Sequence, residues 1–182
     1  DKKSEFEAAL QEFVTTLQAY ISSENGQWTI KGFVDIYKNV YTISSDTKII
    51  SKILEIHIFP KLLELSEKHG YKIVLADHQN YYPDISFVDN EDDTLRFAVD
   101  FKTTYRLPGK PHLCNGFTLG SHGKYFEDRT STKNIQFPYG SYSGHYCLGI
   151  IYDRVDARDI DETRIFDLDS LTSITSVVGN FQ

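Results

Sequence analysis

Arg96-Phe97-Ala98-Val99-Asp100-Phe101-Lys102 alternates its side chains in steps of two, the period of a β-strand whose successive residues point to opposite faces. Phe97, Val99 and Phe101 share one face and read as core. Ala98, Asp100 and Lys102 share the other, which sets Asp100 and Lys102 roughly 6.5–7 Å apart along the strand. Upstream, residues 84–88 read as a second strand that opens directly after Pro83, where a proline costs no ladder hydrogen bond. Residues 71–75 read as a third. The links between them, 76–83 and Asp89-Asn90-Glu91-Asp92-Asp93, are turn-like. The spacing therefore predicts an antiparallel meander with Asp84 at the start of its strand, beside Asp100. Further strands are expected at 146–152 and 163–167.

Helices are expected before the meander. Residues 5–21 carry Phe6, Leu10, Phe13, Val14 and Leu17 at helical spacing. Residues 28–43 are rich in β-branched and aromatic side chains with Gly32 inside, and read as short strands or an irregular hairpin. Ser44-Ser45-Asp46-Thr47 is a helix start signal, and that helix should run to about Lys68 and stop at Gly70. Pro60 inside it either kinks the helix or splits it. A long polar, glycine-rich connection covers 106–143, and connections of that length carry function or short elements of their own. Thr118-Leu119-Gly120 and Asn134-Ile135 are the candidates. The pattern is that of an α+β chain: a mixed, mainly antiparallel sheet flanked by helices, with an N-terminal segment at 1–45 and a core at 46–182.

The chain has 182 residues, 40% hydrophobic and 14% aromatic, which suits one folded domain with a sizeable core. It holds no run of eighteen apolar residues, so a membrane span is not expected. The start, Asp1-Lys2-Lys3-Ser4-Glu5, lacks a signal-peptide core. The two cysteines, Cys114 and Cys147, have no metal-ligand spacing and read as reduced thiols of a cytosolic protein. The absence of methionine suggests that the chain is not a gene product as translated, and 175–182 reads as structured rather than as a polar tail. The formal charge of −7 argues against a simple nucleic-acid binder. Locally, however, Lys102, Arg106, Lys110, Lys124, Arg129 and Lys133 face only Glu127 and Asp128 over 102–133. Over 153–169 the balance reverses, with seven acidic residues against Arg154, Arg158 and Arg164. Such asymmetry fits a basic binding face with an acidic back, and equally fits scattered solvated charges.

The chemistry is concentrated in Tyr82-Pro83-Asp84 and Val99-Asp100-Phe101-Lys102. Two carboxylates brought together hold a hard divalent cation, and Lys102 leaves an ammonium beside it. That is the minimum apparatus for hydrolysing a phosphodiester with a water activated by a metal. Each residue also has an ordinary use: Pro-Asp punctuates turns, and Asp-x-Lys occurs on solvated strand faces. The combination is the more specific signal. Glu55, in the apolar run Ile53-Leu54-Glu55-Ile56, is costly if buried alone. A metal or a nearby lysine would relieve that cost, and an exposed helix position would avoid it.

Six segments occur in order: Ser45-Asp46-Thr47-Lys48, Glu67-Lys68-His69-Gly70-Tyr71, Gln79-Asn80-Tyr81-Tyr82-Pro83-Asp84, Asp100-Phe101-Lys102-Thr103-Thr104-Tyr105, Phe117-Thr118-Leu119-Gly120 and Thr132-Lys133-Asn134-Ile135. In content and spacing they resemble the EcoRV-type type II restriction endonucleases, members of the PD-(D/E)xK nuclease superfamily. The resemblance covers about residues 40–155 well and 1–40 loosely. It implies a restriction-endonuclease-like α+β core and Mg²⁺-dependent cleavage of double-stranded DNA at a short palindromic site, leaving 5′-phosphate ends. It also implies a cytoplasmic homodimer with no membrane contact. Asp84, Asp100 and Glu55 would then be metal ligands, and Lys102 would orient the attacking water. Thr47, Lys48, Thr103, Thr104 and Lys133 would contact the DNA backbone or support such contacts. Gln79 and Asn80 would lie on a loop approaching the minor groove, with His78 where the family has a second glutamine. The family continues past the equivalent of residue 182 into a major-groove recognition loop, which this chain is expected to lack. The apolar stripe of the first helix is a candidate dimer surface or ordinary core packing. Two other functions compete: a Mg²⁺-dependent repair or junction nuclease, and a catalytically inactive DNA-binding module.

Overall fold

Phe6 sits at the centre of the first of two structural units. It is 1% exposed, stacks on Phe97 at 4.2 Å and meets the edges of Tyr71 and Phe87 at 5.4 and 5.3 Å. The computed structural model describes residues 1–117, 123–156 and 160–182, so the element expected at Thr118-Leu119-Gly120 lies outside the described residues. The first unit comprises Asp1–Phe13, Phe59–Lys102 and Phe117–Gly149. The second comprises Val14–Ile58, Thr103–Gly116 and Ile150–Gln182.

Helix α1 (Lys2–Ile21) buries Phe6, Ala9, Phe13, Leu17 and Ile21, the i, i+3, i+4 stripe of an amphipathic helix. Val14, expected on that stripe, is 47% exposed. At about 100° per residue it lies some 80° round from Phe6, at the stripe's edge. The stripe is consumed by core packing.

In the first unit, β3 (Tyr71–Leu75), β4 (Ile85–Asp89) and the opening of β5 (Arg96–Leu107) form the expected antiparallel meander. β7 (Gly144–Arg154) follows β5 in the strand order. The register Phe87↔Phe97 and Ser86↔Ala98 puts the phenylalanines on the face that meets Phe6. The opposite face carries Ala98, and it is covered as well: Ala98, Tyr125, Ile135 and Tyr142 form one buried cluster, flanked by Tyr82, Phe137 and Tyr139. The covering residues come from the long polar connection, which contains the short helix α3 (Lys124–Glu127) and a 3₁₀ turn at Tyr139–Ser141. Asn134-Ile135 does contribute an element, since Ile135 forms a parallel bridge with Tyr82. Asp84 falls one residue ahead of β4 rather than inside it.

Helix α2 (Thr47–His69) runs uninterrupted through Pro60. It starts where the sequence signals: Asp46 Oδ1 accepts the Lys48 and Ile49 N–H groups at 2.9 and 3.2 Å, satisfying donors that the first turn leaves open. It stops at Gly70, whose φ of +75° is the left-handed conformation of a helix terminator.

The second unit holds a separate three-stranded antiparallel sheet, β1 (Gly32–Val34), β2 (Asn39–Thr42) and β8 (Ile165–Asp167), in that order. Its core contains the fully buried Trp28, which donates Nε1–H to His57 Nδ1 at 3.1 Å. Two strands not foreseen from sequence complete it: β6 (Lys110–Cys114) pairs with the end of β5, and β9 (Val178–Gly179) with the end of β7. Asp161 and Glu162, part of the acidic stretch, accept backbone N–H groups from Thr175 and Ser45 at 3.0 and 2.9 Å. Part of that charge therefore serves local structure. Among the described residues, no helix is long and apolar enough to cross a membrane.

Candidate active site

The pairing Ile85↔Val99, continued by one residue, sets Asp84 opposite Asp100, where cross-strand side chains lie roughly 4.5–5.5 Å apart at Cβ. Asp84 Oδ2 accepts the backbone N–H of Phe101 at 2.7 Å. Its carboxylate is thereby fixed against the residue that follows Asp100. Asp100 is only 9% exposed, and a buried carboxylate needs hydrogen bonds or a counter-charge. Lys102 supplies both: its Nζ donates to Asp100 Oδ2 and, at 3.3 Å, to the Phe101 carbonyl. The period-two expectation that Asp100 and Lys102 share a face thus holds, and their side chains meet.

Two residues ahead of Asp84, Tyr82 is set among the rings of Tyr125, Tyr139 and His145. The Tyr82 backbone is locked on both sides, its N–H donating to Asn134 O at 2.9 Å and its carbonyl accepting from Gln136 N at 2.8 Å. The Tyr82 phenol bonds His145 Nδ1 at 2.9 Å, and His145 Nε2 bonds the Tyr139 carbonyl at 3.1 Å. Burial first, and the Asp100 carboxylate second, push the Tyr82 phenol well above its ordinary value. Burial holds His145 below the usual imidazole range, outweighing its bond to Tyr139. Cys147, on β7, lies within electrostatic reach of Lys102, Asp100 and Asp84; desolvation keeps its thiol above the ordinary value despite the opposing pull of Lys102. From sequence, Tyr82 belongs to the motif that ends at Asp84 and Cys147 reads as a reduced thiol, neither with a role here, and no pattern singles out His145 or Tyr139. The available signal was the density of rings at Phe137, Tyr139 and Tyr142 in a connection otherwise read as polar.

The other expected residues divide by unit. Gln79 and Asn80 are exposed on the connection before Asp84, which Gln136 braces by accepting Asp77 N–H at 2.9 Å and donating to Asp77 Oδ2 at 3.2 Å. Lys133 is exposed in the same unit. Thr47, Lys48, Glu55, Thr103 and Thr104 belong to the second unit. Thr47 and Lys48 occupy the first turn of α2, with Lys48 exposed and Thr47 half-buried. Thr104 is buried and donates to Asn115 O at 2.6 Å, which holds the β5–β6 hairpin and makes it a supporting residue. Glu55 pairs with Lys52 at 2.8 Å and its side chain is 27% exposed. The lysine foreseen as one way of relieving its charge is the one present. A cavity of about 440 Å³ between Tyr105, Arg106, Asp153 and Arg154 is lined by none of the expected site residues.

Among the described residues, no three His, Cys, Asp or Glu side chains gather into a metal cage. Two neighbouring carboxylates, one of them bonded to an ammonium, are a different arrangement. It fits a small hard cation that binds one or two protein carboxylates, keeps several waters and shares substrate phosphate oxygens. The Lys102 ammonium marks where the carboxylates demand positive charge.

A family model described as restriction endonuclease EcoRV matches residues 24–182. The chain is also similar to the type II restriction enzyme EcoRV of Escherichia coli, with 32% identity over 151 residues, 83% of this chain and 60% of that protein. It therefore spans about 60% of the length of the curated relative. The match agrees with the α+β reading and its restriction-endonuclease-like core.

Proposed function

We propose, from the premise that this chain belongs to the EcoRV restriction endonuclease family, that it carries the catalytic apparatus of a type II restriction endonuclease. The reaction is hydrolysis of phosphodiesters in double-stranded DNA at a short palindromic site, leaving 5′-phosphate ends, and the setting is the cytoplasm. One observation supports it above all: Asp84, one residue ahead of β4, falls opposite Asp100 when the β4–β5 register is continued, its carboxylate bonded to Phe101 N–H and Lys102 bonded to Asp100.

Asp84 and Asp100 would hold Mg²⁺, with Glu55 as the additional carboxylate. When bound, the ion supplies positive charge to the phosphate oxygens and makes a nearby water more acidic. Asp100, relieved of its need for an ammonium, releases Lys102 to donate toward the attacking water and the scissile phosphate. There it stabilises the charge that grows on the phosphoryl oxygens. Water attacks phosphorus in line with the 3′ oxygen; the new P–O bond forms as P–O3′ breaks, the water gives up a proton to solvent, the departing 3′ oxygen takes one from solvent, and the phosphate stays on the 5′ side. Exposed Lys48 and Lys133, with Thr47 and Thr103, suit backbone contacts to phosphate. Thr104 supports them through its bond to Asn115, and Gln79 and Asn80 approach the minor groove.

A palindrome read by two identical active sites calls for a twofold homodimer. The second unit offers a surface for it. The registers Phe33↔Tyr41 and Tyr41↔Ile165 line up three side chains that are 54%, 41% and 65% exposed, with Ile36 at 88% beyond them. A contiguous exposed apolar row of this kind marks an association surface.

The test is Asp100→Ala assayed on supercoiled plasmid. We expect Mg²⁺-dependent cleavage to fall about a thousandfold or more while circular dichroism shows an intact fold. Retained cleavage would overturn the assignment. For the unsubstituted chain, discrete fragments support restriction, a smear points to a repair or junction nuclease, and binding with no cleavage points to an inactive DNA-binding module.

A further inference from the structure

We infer that His145 is a positioning residue for the metal site, acting through Tyr82 to fix the turn that presents Asp84. The inference rests on the nuclease reading above. Downstream, Asp84 is held by its bond to Phe101 N–H and by the β4–β5 register. Upstream, the constraint arrives two residues earlier, at Tyr82. The backbone of Tyr82 is bridged to Ile135, and its side chain ends on His145, 63 residues away in sequence.

His145 is built to hold that end in one place. Its ring stacks on Tyr139 at 3.8 Å with planes 13° apart. It lies near-parallel to Tyr82 at 5.8 Å and is tilted against Tyr142 at 5.2 Å. Both ring nitrogens are used. The Tyr139 carbonyl can only accept, so Nε2 carries the hydrogen and donates to it, which leaves Nδ1 of the neutral ring to accept from the Tyr82 hydroxyl. A single neutral tautomer satisfies both bonds, and burial favours that neutral form. Tyr142 adds a second tie to the same strand pair, its phenol bonding Ser86 Oγ at 2.8 Å. The outcome is a chain of oriented groups running from the Tyr139 carbonyl through His145 and Tyr82 to the peptide that ends at Asp84. Partners of this kind, which orient a ligand without touching the ion, commonly change metal affinity by about 10–100-fold when removed.

The experiment measures Mn²⁺ binding by electron paramagnetic resonance on the full chain, since Mn²⁺ shares the oxygen preference of Mg²⁺. Tyr82→Phe removes one oxygen and leaves the ring. His145→Phe keeps the stacking and removes both hydrogen bonds. We expect each to weaken Mn²⁺ binding about tenfold, with thermal melting little changed for Tyr82→Phe, and the double variant to be no weaker than the weaker single one. His145→Asn, whose amide oxygen takes the place of Nδ1, should recover most of the affinity. Should His145→Phe fail to fold, Tyr82→Phe carries the test alone. Wild-type affinity in folded Tyr82→Phe, or fully additive losses in the double variant, would overturn the inference. Asp84→Ala separates the levels. If it binds Mn²⁺ like the wild type, the metal site itself is wrong and the positioning role goes with it. If it loses binding while Tyr82→Phe does not, only the positioning role is lost.

Discussion

The β4–β5 pair of the first unit and the β1-β2-β8 sheet of the second are both antiparallel, yet they differ in how their faces are covered. β4 is buried at every position and β5 from Phe97 through Phe101. The other sheet buries Val40 completely on one side and leaves Phe33, Tyr41 and Ile165 open on the other. Where both faces are covered, every polar group must find a partner. Ser86 finds Tyr142, Asp89 caps the following turn and pairs with Lys2, and Asp100 finds the charge of Lys102 on its flexible stem. The group whose partner can be exchanged is the one with chemistry to offer. The face left uncovered and apolar is the one proposed above for self-association. Burial pattern thus separates the proposed site of reaction from the proposed site of association.

The comparison breaks most sharply at Lys102. Lys102→Met strands Asp100 at 9% exposure without its counter-charge. We expect cleavage to fall about 10²–10³-fold and stability by about 1–3 kcal/mol. Adding Asp100→Asn should return much of the stability and none of the cleavage, in urea melts and plasmid digests. If stability is unchanged in the single variant, the pair contributes as little as a surface ion pair.

A second test falls on the open sheet. Tyr41→Glu, at the centre of the Phe33–Tyr41–Ile165 row, should weaken self-association about a hundredfold in sedimentation velocity, with no more than about 0.5 kcal/mol change in subunit stability. A chain that is monomeric at every concentration before substitution removes the dimer from the reading. On the covered sheet, Ala98→Leu forces extra methylenes against Tyr125, Ile135 and Tyr142. It should cost about 1–3 kcal/mol, measurable by thermal melting; a silent Ala98→Leu would mean that the aromatic cover yields.

How much of this was legible in the sequence depends on the range of the contact. Asp46 and Gly70 delimit α2 because capping is a local matter of a side-chain oxygen and a left-handed backbone. The meander was legible because its turns are short, and the trio because a period of two fixes which residues share a face. The cover over Ala98 was not. Its rings come from a connection that is polar on average, and nothing in a local window tells Tyr125 or Tyr142 which strand it will meet. The roles of His145 and Tyr82 were missed for the same reason. β6 escaped because all five of its residues are exposed and Pro111 interrupts the pattern, and β9 because two residues carry no period. Val14 shows the limit of the helical stripe, which predicts a direction better than a width.

The smallest effect is expected at Glu55. In this structure it behaves as an ordinary helix carboxylate, paired three residues back with Lys52, whose side chain is 70% exposed. Such pairs contribute about 0.2–0.5 kcal/mol, so Glu55→Gln should leave the melting curve nearly in place. Its proposed role at the metal is tested by a different measurement, the Mg²⁺ midpoint for DNA cleavage. A carboxylate that helps hold the ion only when DNA is present should raise that midpoint on neutralisation while leaving the melt untouched. Asp84→Asn, by contrast, removes a fixed oxygen donor and should raise it far more. A midpoint that stays put in Glu55→Gln takes Glu55 out of the metal site and leaves Asp84 and Asp100 as its carboxylates: Glu55 and Asp100 both have a lysine partner, but Lys52 is 70% exposed whereas Asp100 and Lys102 are largely covered, so an ion would relieve the strand carboxylate more than the helical one.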